Sequence, residues 1–277
     1  MREVRTAEIS SAVYELFRKA GVTPCADVLA AVERAGAEET GAAHEVMRQI
    51  IENAGISAET GLPSCQDTGM AIVFLEIGRD VHLDGNLEDA VNDGVRRAYR
   101  DGYFRKSVLS ALDRVNTGDN TPAIIHERIV DGDRIHIWAM PKGFGSENMS
   151  AVGMLKPSDG VEGVCDFIVE CARKAGPNPC PPVVLGVGIG GSFEYVAYLA
   201  KRALLREVGS ENPDPRLSEL EKQVKARINA LGYGPMGLGG KNYCLAVHMV
   251  EFPTHLASLP VAVSVSCHAL RHADCIL

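Results

Sequence analysis

The sequence predicts a mixed α/β fold of the α+β kind, with an N-terminal helical segment followed by a mixed-sheet domain with packed helices. Residues 7–56 carry apolar side chains at helical spacing. Later runs such as MAIVFLEIG and LPVAVSVSC are short, apolar and rich in Val and Ile, which is typical of buried strands. No internal repeat interrupts this order, so a repeat architecture is not predicted.

The elements follow in order along the chain. Thr-Pro and Glu-Glu-Thr-Gly breaks divide residues 7–56 into three helices. Asn86, followed by Glu88 and Asp89, starts another helix, because an Asn side chain caps free N–H groups and acids favour the first turn. Two β-rich runs around Asp131-Gly132 predict a β-hairpin. The remaining predicted elements are a helix over 161–175, a strand over 183–190, helices over 192–208 and 215–231, and strands within KNYCLAVHMVEF and LPVAVSVSC.

The composition is that of a globular protein. Apolar residues make up 46% of the 277 positions, and no apolar run approaches the roughly 18 residues of a membrane span. The N-terminus lacks the apolar block of a signal peptide, so we expect a cytoplasmic protein without membrane attachment. The net charge of −8 and the scattered basic residues argue against nucleic-acid binding. We expect a single domain over residues 1–277, with a helical arm over 1–60 and a mixed α/β body over 61–277.

A glycine pattern follows the strand at 183–190. Gly186, Gly188 and Gly191 match G-x-G-x-x-G between a strand and a helix, which is the context of a dinucleotide-binding turn. That function also needs an acidic residue at the end of a second strand about 20 positions later. Here the distance leads to Glu207, within or at the end of the helix. Close packing of the strand against the helix is the alternative explanation.

The eight cysteines fall into different settings. Cys165, Cys171 and Cys244 lie within regular elements, where a thiol behaves as a small core hydrophobe. Cys25 and Cys275 have no companions that indicate a role. The other three stand where a loop meets a regular element: Cys65, Cys180 and Cys267. Three thiolates on one iron–sulfur cluster would leave an iron able to bind substrate, but the spacing alone matches no metal-binding pattern and favours ordinary thiols.

Several motifs occur together in a fixed order: SCQDTGMAIVF, NTGDNTPA, MPKGFGSENMS, CPPVVLGVGIGG, GYGPMGLGGKNY and THLASLPVAVSVSCHALRHA. From about residue 45 onward the chain resembles the N-terminal catalytic region of the iron–sulfur class I fumarases. It is equally similar to the separate α subunit of two-subunit fumarases and L-tartrate dehydratases. The chain ends shortly after the third cysteine motif, as an α subunit would.

The resemblance implies a set of site residues. Cys65, Cys180 and Cys267 would ligate a [4Fe–4S] cluster with one open iron, and the glycine run would be scaffold. Substrate-binding roles would fall to Gln66, to Arg105, and to a backbone amide of Gly143 or Gly145. An arginine suits a substrate carboxylate because its planar guanidinium donates two parallel hydrogen bonds.

Asp67 and His255 are the catalytic residues that the resemblance implies. A carboxylate paired with an imidazole raises the imidazole pKa and fixes its tautomer, so the two would form an acid/base or orienting couple. The residues alone favour the interpretation of His255 as a strand-entry histidine bonded to backbone. His268 and His272 have no implied role beyond the polar surface. The loop 116–120 matches a family motif and equally suits turn formation.

The reaction implied is the reversible hydration of fumarate to L-malate, a step of the tricarboxylic acid cycle, by a hydro-lyase completed by a separate β subunit in an α2β2 heterotetramer. L(+)-tartrate dehydration is the alternative within the same enzyme class. A cluster-free binding or scaffold subunit, with the three cysteines as reduced thiols, is the alternative of another class.

Overall fold

The computed structural model describes residues 2–277. The chain forms two compact units, each assembled from segments that are distant in sequence. The first unit comprises Met1–Cys25, of which residues 2–25 are described, together with Asn53–Phe144 and Arg271–Leu277. The second comprises Ala26–Glu52 and Gly145–Leu270. The prediction of one domain with a helical arm over residues 1–60 stays a prediction.

Helices and strands alternate irregularly, which confirms the mixed α and β class. The helices are α1 (Thr6–Val22), α2 (Ala26–Glu38), α3 (Gly41–Thr60), α4 (Leu87–Asp101), α5 (Phe144–Glu147), α6 (Gly160–Ala175), α7 (Phe193–Ala203) and α8 (Pro215–Asn229). The strands are β1 (Arg2–Val4), β2 (Met70–Gly78), β3 (Val81–Leu83), β4 (Ile124–Val130), β5 (Ile135–Lys142), β6 (Ala151–Leu155), β7 (Val183–Gly190), β8 (Cys244–Phe252), β9 (Leu259–Ser266) and β10 (Ala273–Ile276). Every predicted helix and strand is present, whereas β1, β3, β6, β10 and α5 were not predicted. Within the described residues no helix is long and apolar enough to cross a membrane.

The first unit is built on a sheet of order β10-β5-β2-β4. Strand β2 is buried along most of its length and pairs in parallel with β4 and antiparallel with β5. The predicted β-hairpin is therefore wrong in its pairing, although both of its strands exist. The apolar β2 lies between β4 and β5, and the Asp131-Gly132 turn passes over its end, where Asp80 N–H donates to Gly132 O at 3.0 Å. An isolated hairpin of β4 and β5 would bury less apolar surface than the three-stranded arrangement in which β2 lies between them.

Helices α1 and α4 cover this sheet and enclose a cluster of aromatic rings. The rings of Tyr99 and Phe104 meet edge to face at 5.4 Å, and Phe17 lies 6.1 Å from Tyr99. A Cβ at Gly21 would lie 2.1 Å from Cζ of Phe104, so only glycine fits there. The core thus fixes Tyr99, whose hydroxyl reaches the carbonyl oxygens of residues 68 and 69 at 2.8 and 3.0 Å. The loop before β2 is anchored in this way.

The second unit is built on a sheet of order β6-β9-β7-β8, with β7 and β8 parallel and β9 antiparallel to β7. Side chains of β7 alternate between the two faces. Its branched residues Val183, Leu185 and Val187 share a core with α6 and α8. The glycines between them face α7: a Cβ at Gly186 or Gly188 would lie 2.1 or 2.3 Å from a backbone oxygen of that helix. The close-packing explanation of the glycine pattern is confirmed.

A buried ion pair joins α8 to the segment that follows α7. Both terminal nitrogens of Arg206 donate to the Glu221 carboxylate, at 2.9 and 2.6 Å. Glu221 is 7% exposed and also accepts from the Asn212 amide and from the Met249 N–H. Because so many donors converge on this carboxylate, its negative charge is compensated inside the fold.

His248 lies next to this pair and predicts an acid-sensitive stability. It is 2% exposed, and burial together with the Arg206 charge lowers its pKa from 6.5 to about 4. Below pH 6.5 the unfolded chain takes up a proton here that the folded chain does not, so the free energy of unfolding falls as pH drops toward 4. The loss between pH 8 and pH 5 is about 2 kcal/mol.

Urea unfolding at the two pH values tests this contribution. We expect His248→Leu to reduce the acid-side loss of unfolding free energy by that amount. The exposed His82 provides the matched control, since His82→Gln leaves a solvated position and no buried imidazole changes. An unchanged loss in His248→Leu would exclude this imidazole as its source.

Candidate functional site

The segment Cys65–Gly69 forms a loop of the first unit between α3 and β2. Cys65 and Gln66 are exposed, and Asp67 is half-buried. The loop is held on both sides: the Asn53 amide donates to Ser64 O at 2.8 Å, and the Thr68 hydroxyl donates to Arg105 O at 3.0 Å. Together with the Tyr99 hydroxyl, these bonds fix the backbone and leave the side chains of residues 65 and 66 at the surface.

Asp67 is the centre of this loop's hydrogen bonds. Its carboxylate accepts from Gly69 N–H at 3.1 Å and from Phe144 N–H at 2.7 Å. A Cβ at Gly143 would lie 3.2 Å from Asp67 Oδ2, so glycine permits the close approach. The structure therefore brings Asp67 and Gly143 together. A Cβ at Gly145 would meet nothing within 4 Å. Which of the two glycines offers its amide to substrate stays a prediction.

Arg105 is exposed and adjoins the same loop through its backbone. Asn120, which is fully buried, sets this arrangement. Its Oδ1 accepts from Ser107 N–H and Val108 N–H, and its amide donates to Gly69 O. Around it, the Asn116 and Asp119 side chains accept from backbone N–H groups two residues ahead, as turn-forming residues do. The turn-building interpretation of loop 116–120 is confirmed.

In the second unit, Cys180 and Cys267 lie on loops that one hydrogen bond connects. Cys180 precedes β7 and has a φ of +52°, and Cys267 follows β9. The His268 Nδ1 lies 3.0 Å from Cys180 O. Because a carbonyl only accepts, Nδ1 carries the proton. The His268 ring is half-buried and joins the two cysteine loops, a contact that the sequence did not predict.

The eight thiols separate as the sequence predicts, and none is in a disulfide. Cys165, Cys171 and Cys244 are buried. Burial raises the pKa of Cys171 to about 11 and that of Cys244 to about 12. Both thiols therefore stay protonated at neutral pH and bind metal ions poorly. Cys65 and Cys180 are exposed, and Cys267 is half-buried. The backbone N–H of Asp67 donates to Cys65 Sγ at 3.4 Å.

His255 lies on the exposed loop between β8 and β9. Its Nδ1 accepts from Ala257 N–H at 3.2 Å, so Nε2 carries the proton in the neutral ring. This is the backbone-bonded state that the residues alone suggested. His255 belongs to the second unit and Asp67 to the first, and their pairing stays a prediction.

Arg271 and Glu39 are buried charged residues that sequence reasoning missed. The Arg271 Nη2 donates to Asp67 O at 2.7 Å. Glu39 is 6% exposed, and its carboxylate accepts from the N–H groups of Lys241 and Asn242, which shapes the glycine-rich loop before β8. Arg271 stands four positions after Cys267, which is the one signal that could have found it. Within residues 2–277, neither unit by itself brings three or more His, Cys, Asp or Glu side chains close enough together to hold a metal ion.

Comparisons with known proteins agree with the motif pattern. Residues 10–276 match the family described as "Fumarate hydratase (Fumerase)". A protein of Methanocaldococcus jannaschii is 43% identical over 274 residues, 96% of each chain, and carries the provisional name of L(+)-tartrate dehydratase subunit alpha. Proteins of Escherichia coli K12 and Shigella sonnei, both named L(+)-tartrate dehydratase subunit alpha, are 34% identical over 83% of this chain and 79% of theirs.

Proposed function

The chain belongs to the fumarate hydratase family, and from that premise we propose that it is the α subunit of a hydro-lyase that interconverts fumarate and L-malate. One observation carries the proposal. The Cys65–Gly69 loop holds the Asp67 carboxylate against Gly143, with Arg105 bonded to the same loop through its backbone. This arrangement offers a dicarboxylate a cation, a backbone amide and an oriented acid–base group.

The proposed cofactor is a [4Fe–4S] cluster held by Cys65, Cys180 and Cys267. The donor set fits: these three thiols are exposed or half-buried, whereas the core thiols are buried and protonated. The N–H···S bond to Cys65 is of the kind that tunes iron–sulfur clusters. When bound, a cluster with an iron lacking a protein thiolate supplies a Lewis acid for the substrate hydroxyl and carboxylate.

The chain's own residues bind and orient the substrate. Arg105 grips one carboxylate with two parallel hydrogen bonds, and Gln66 and the Gly143 amide hold the other polar atoms. Hydration adds a hydroxyl to one alkene carbon and a proton to the next, so a positioned acid must deliver that proton. Asp67 and His255 are the proposed couple. The two backbone N–H groups on the Asp67 carboxylate fix its direction before the substrate arrives.

A β subunit is proposed to complete the enzyme, in an α2β2 heterotetramer. Support comes from the relatives, each of which is named as an alpha subunit. Closed two-fold assemblies are the commonest oligomers, which favours two copies of each chain. A cytoplasmic location suits three reduced thiols, because the cytosol keeps cysteines from forming disulfides.

L(+)-tartrate dehydration is the second candidate, because the relatives at 43% and 34% identity carry that name. Tartrate has one hydroxyl more than malate, so its binding needs one further hydrogen-bond partner. The cluster-free scaffold subunit is the candidate of another class, and it predicts a folded chain without iron.

Anaerobic co-expression with a β-type subunit tests these candidates. Iron and sulfide are measured per α chain, and fumarate hydration is assayed beside L-tartrate dehydration. We expect about four irons per α chain, as a [4Fe–4S] cluster contains. Turnover of fumarate supports the first proposal, and turnover of tartrate alone replaces it by the second. Folded protein without iron and without turnover would leave the scaffold subunit as the function.

A further inference from the structure

We propose that Arg271 binds a carboxylate of the substrate, beside Asp67. This inference rests on the proposed function and deepens it. It assigns a second cation to the dicarboxylate site, in addition to Arg105. The motif THLASLPVAVSVSCHALRHA contains this arginine but gives it no role, and its position in the fold is what indicates the role.

Arg271 is a buried arginine, and some of its hydrogen-bond donors have no acceptor in the described part of the chain. Its residue is 5% exposed, and Nη2 donates to Asp67 O at 2.7 Å. Among residues 2–277, neither Nε nor Nη1 has a hydrogen-bond partner. An arginine keeps its proton in proteins, so the positive charge stays inside the fold. Buried donors without acceptors are rare and costly, which indicates a ligand that supplies the acceptor.

Arg206 shows how the positive charge of a buried arginine is compensated elsewhere in this chain. Both terminal nitrogens of Arg206 donate to the Glu221 carboxylate. Arg271 bonds only a backbone carbonyl, which is neutral. The nearby Asp67 carboxylate accepts from the N–H groups of Gly69 and Phe144. An acceptor for the remaining Arg271 donors is therefore expected from outside the chain.

The guanidinium and the Asp67 carboxylate lie beside the same glycine. A Cβ placed on Gly143 would lie 3.2 Å from Asp67 Oδ2 and 3.9 Å from Arg271 Nη2. The carboxylate, the guanidinium and a residue without a side chain therefore meet at one point. Nη2 uses one of its two hydrogens on Asp67 O. One edge of the guanidinium, formed by the second hydrogen of Nη2 with Nε or Nη1, can still donate two parallel bonds.

The ligand that fits such an edge is a carboxylate. Two arginines adjoin the Cys65–Gly69 loop, Arg105 through the Thr68 bond and Arg271 through the Asp67 bond. A four-carbon dicarboxylate carries two carboxylates, so each receives one guanidinium. On this assignment Arg271 holds the carboxylate nearer to Asp67, and Arg105 holds the other.

Binding of succinate tests the assignment without turnover, because succinate has no double bond to hydrate. Calorimetric titration of the anaerobically prepared αβ complex compares the wild-type protein with Arg271→Gln and Arg271→Lys. We expect Arg271→Gln to weaken succinate binding about 10- to 100-fold, the range of a charge-assisted hydrogen bond. Arg271→Lys keeps the positive charge but cannot donate two parallel hydrogen bonds, so we expect its succinate affinity to lie between those of Arg271→Gln and the wild type.

The control is Arg97→Gln. Arg97 also lies in the first unit and is partly buried, but its contacts are Ser10, Asp93 and the Tyr14 ring. Its loss is expected to leave succinate affinity unchanged. A second readout is the preference for succinate over its monoamide, which we expect to fall in Arg271→Gln and to persist in Arg97→Gln.

A purely structural Arg271 predicts a different result. Arg271→Lys, which is expected to fold as the wild-type chain does, would then bind succinate as tightly as wild type and keep the same preference over the monoamide. That result would overturn the proposal, as would the absence of succinate binding by the folded wild-type complex. Wild-type protein that binds succinate but turns over neither fumarate nor tartrate would contradict the proposed function alone, and the variants would still report on Arg271.

Discussion

Replacing Cys180 by serine is expected to remove most of the iron from the αβ complex and to lower fumarate hydration by more than about 100-fold, since even changes around metal ligands cost 10- to 100-fold. A serine hydroxyl stays protonated at neutral pH and is a hard oxygen donor, whereas iron–sulfur clusters are held by soft thiolates. Cys180 is exposed before β7, so the substitution leaves the core unchanged. Iron and sulfide content, measured anaerobically, report the loss directly.

Cys165→Ala is the matched control for this substitution. Cys165 is 4% exposed in α6, and burial raises its pKa, so it acts as a core side chain. The control is expected to keep its iron and its activity and to lose only packing energy. Full iron content and full turnover in Cys180→Ser would remove Cys180 from the proposed ligand set.

Replacing Gly186 by alanine is expected to destabilise the second unit by about 3 kcal/mol or more, the upper range for overpacked cores. The added Cβ would lie 2.1 Å from Ala200 O and 3.0 Å from Leu204 Cγ. The nearer atom belongs to the backbone of α7, so no side-chain rotation relieves the contact. The helix must move away from β7, which opens the packing against Gly188 as well. Urea unfolding of the full chain measures the change in the free energy of unfolding.

Gly55→Ala provides the opposite control. Gly55 lies inside α3, and a Cβ there would meet nothing within 4 Å. Alanine costs less backbone entropy than glycine in a helix, so this variant is expected to gain about 0.5–1 kcal/mol. If Gly186→Ala were as stable as wild type, the helix would have to yield at no cost, and the close-packing argument would fail.

Element types were predictable because they depend on local periodicity. The helix at 87–101 begins at Asn86, whose side chain accepts from Asp89 N–H as the sequence indicated. Strand pairing was not predictable in the same way. The runs that form β4 and β5 read as a hairpin, but the partner of both is β2, which ends at Gly78, 46 positions before β4 begins at Ile124. Pairing depends on which buried strand is available, and no local pattern states that.

The candidate site was predictable in its residue types and only partly in its contacts. The sorting of cysteines followed from whether each lies inside an element or at its end. The close approach of Gly143 to Asp67 was not predictable, because the two residues are distant in sequence. Arg271 and the His268 bond were missed, because their partners Asp67 and Cys180 are 204 and 88 positions away.

The sequence by itself determined the kinds of element, the mixed α and β class and the motifs that point to a hydro-lyase of the fumarate hydratase family. It did so because side-chain periodicity and capping depend on neighbours along the chain. Only the tertiary structure decided which strand separates β4 from β5, why Gly186 must be glycine, and that Arg271 is buried with donors unused. Burial, close approach and charge compensation depend on atoms that folding brings together from distant positions.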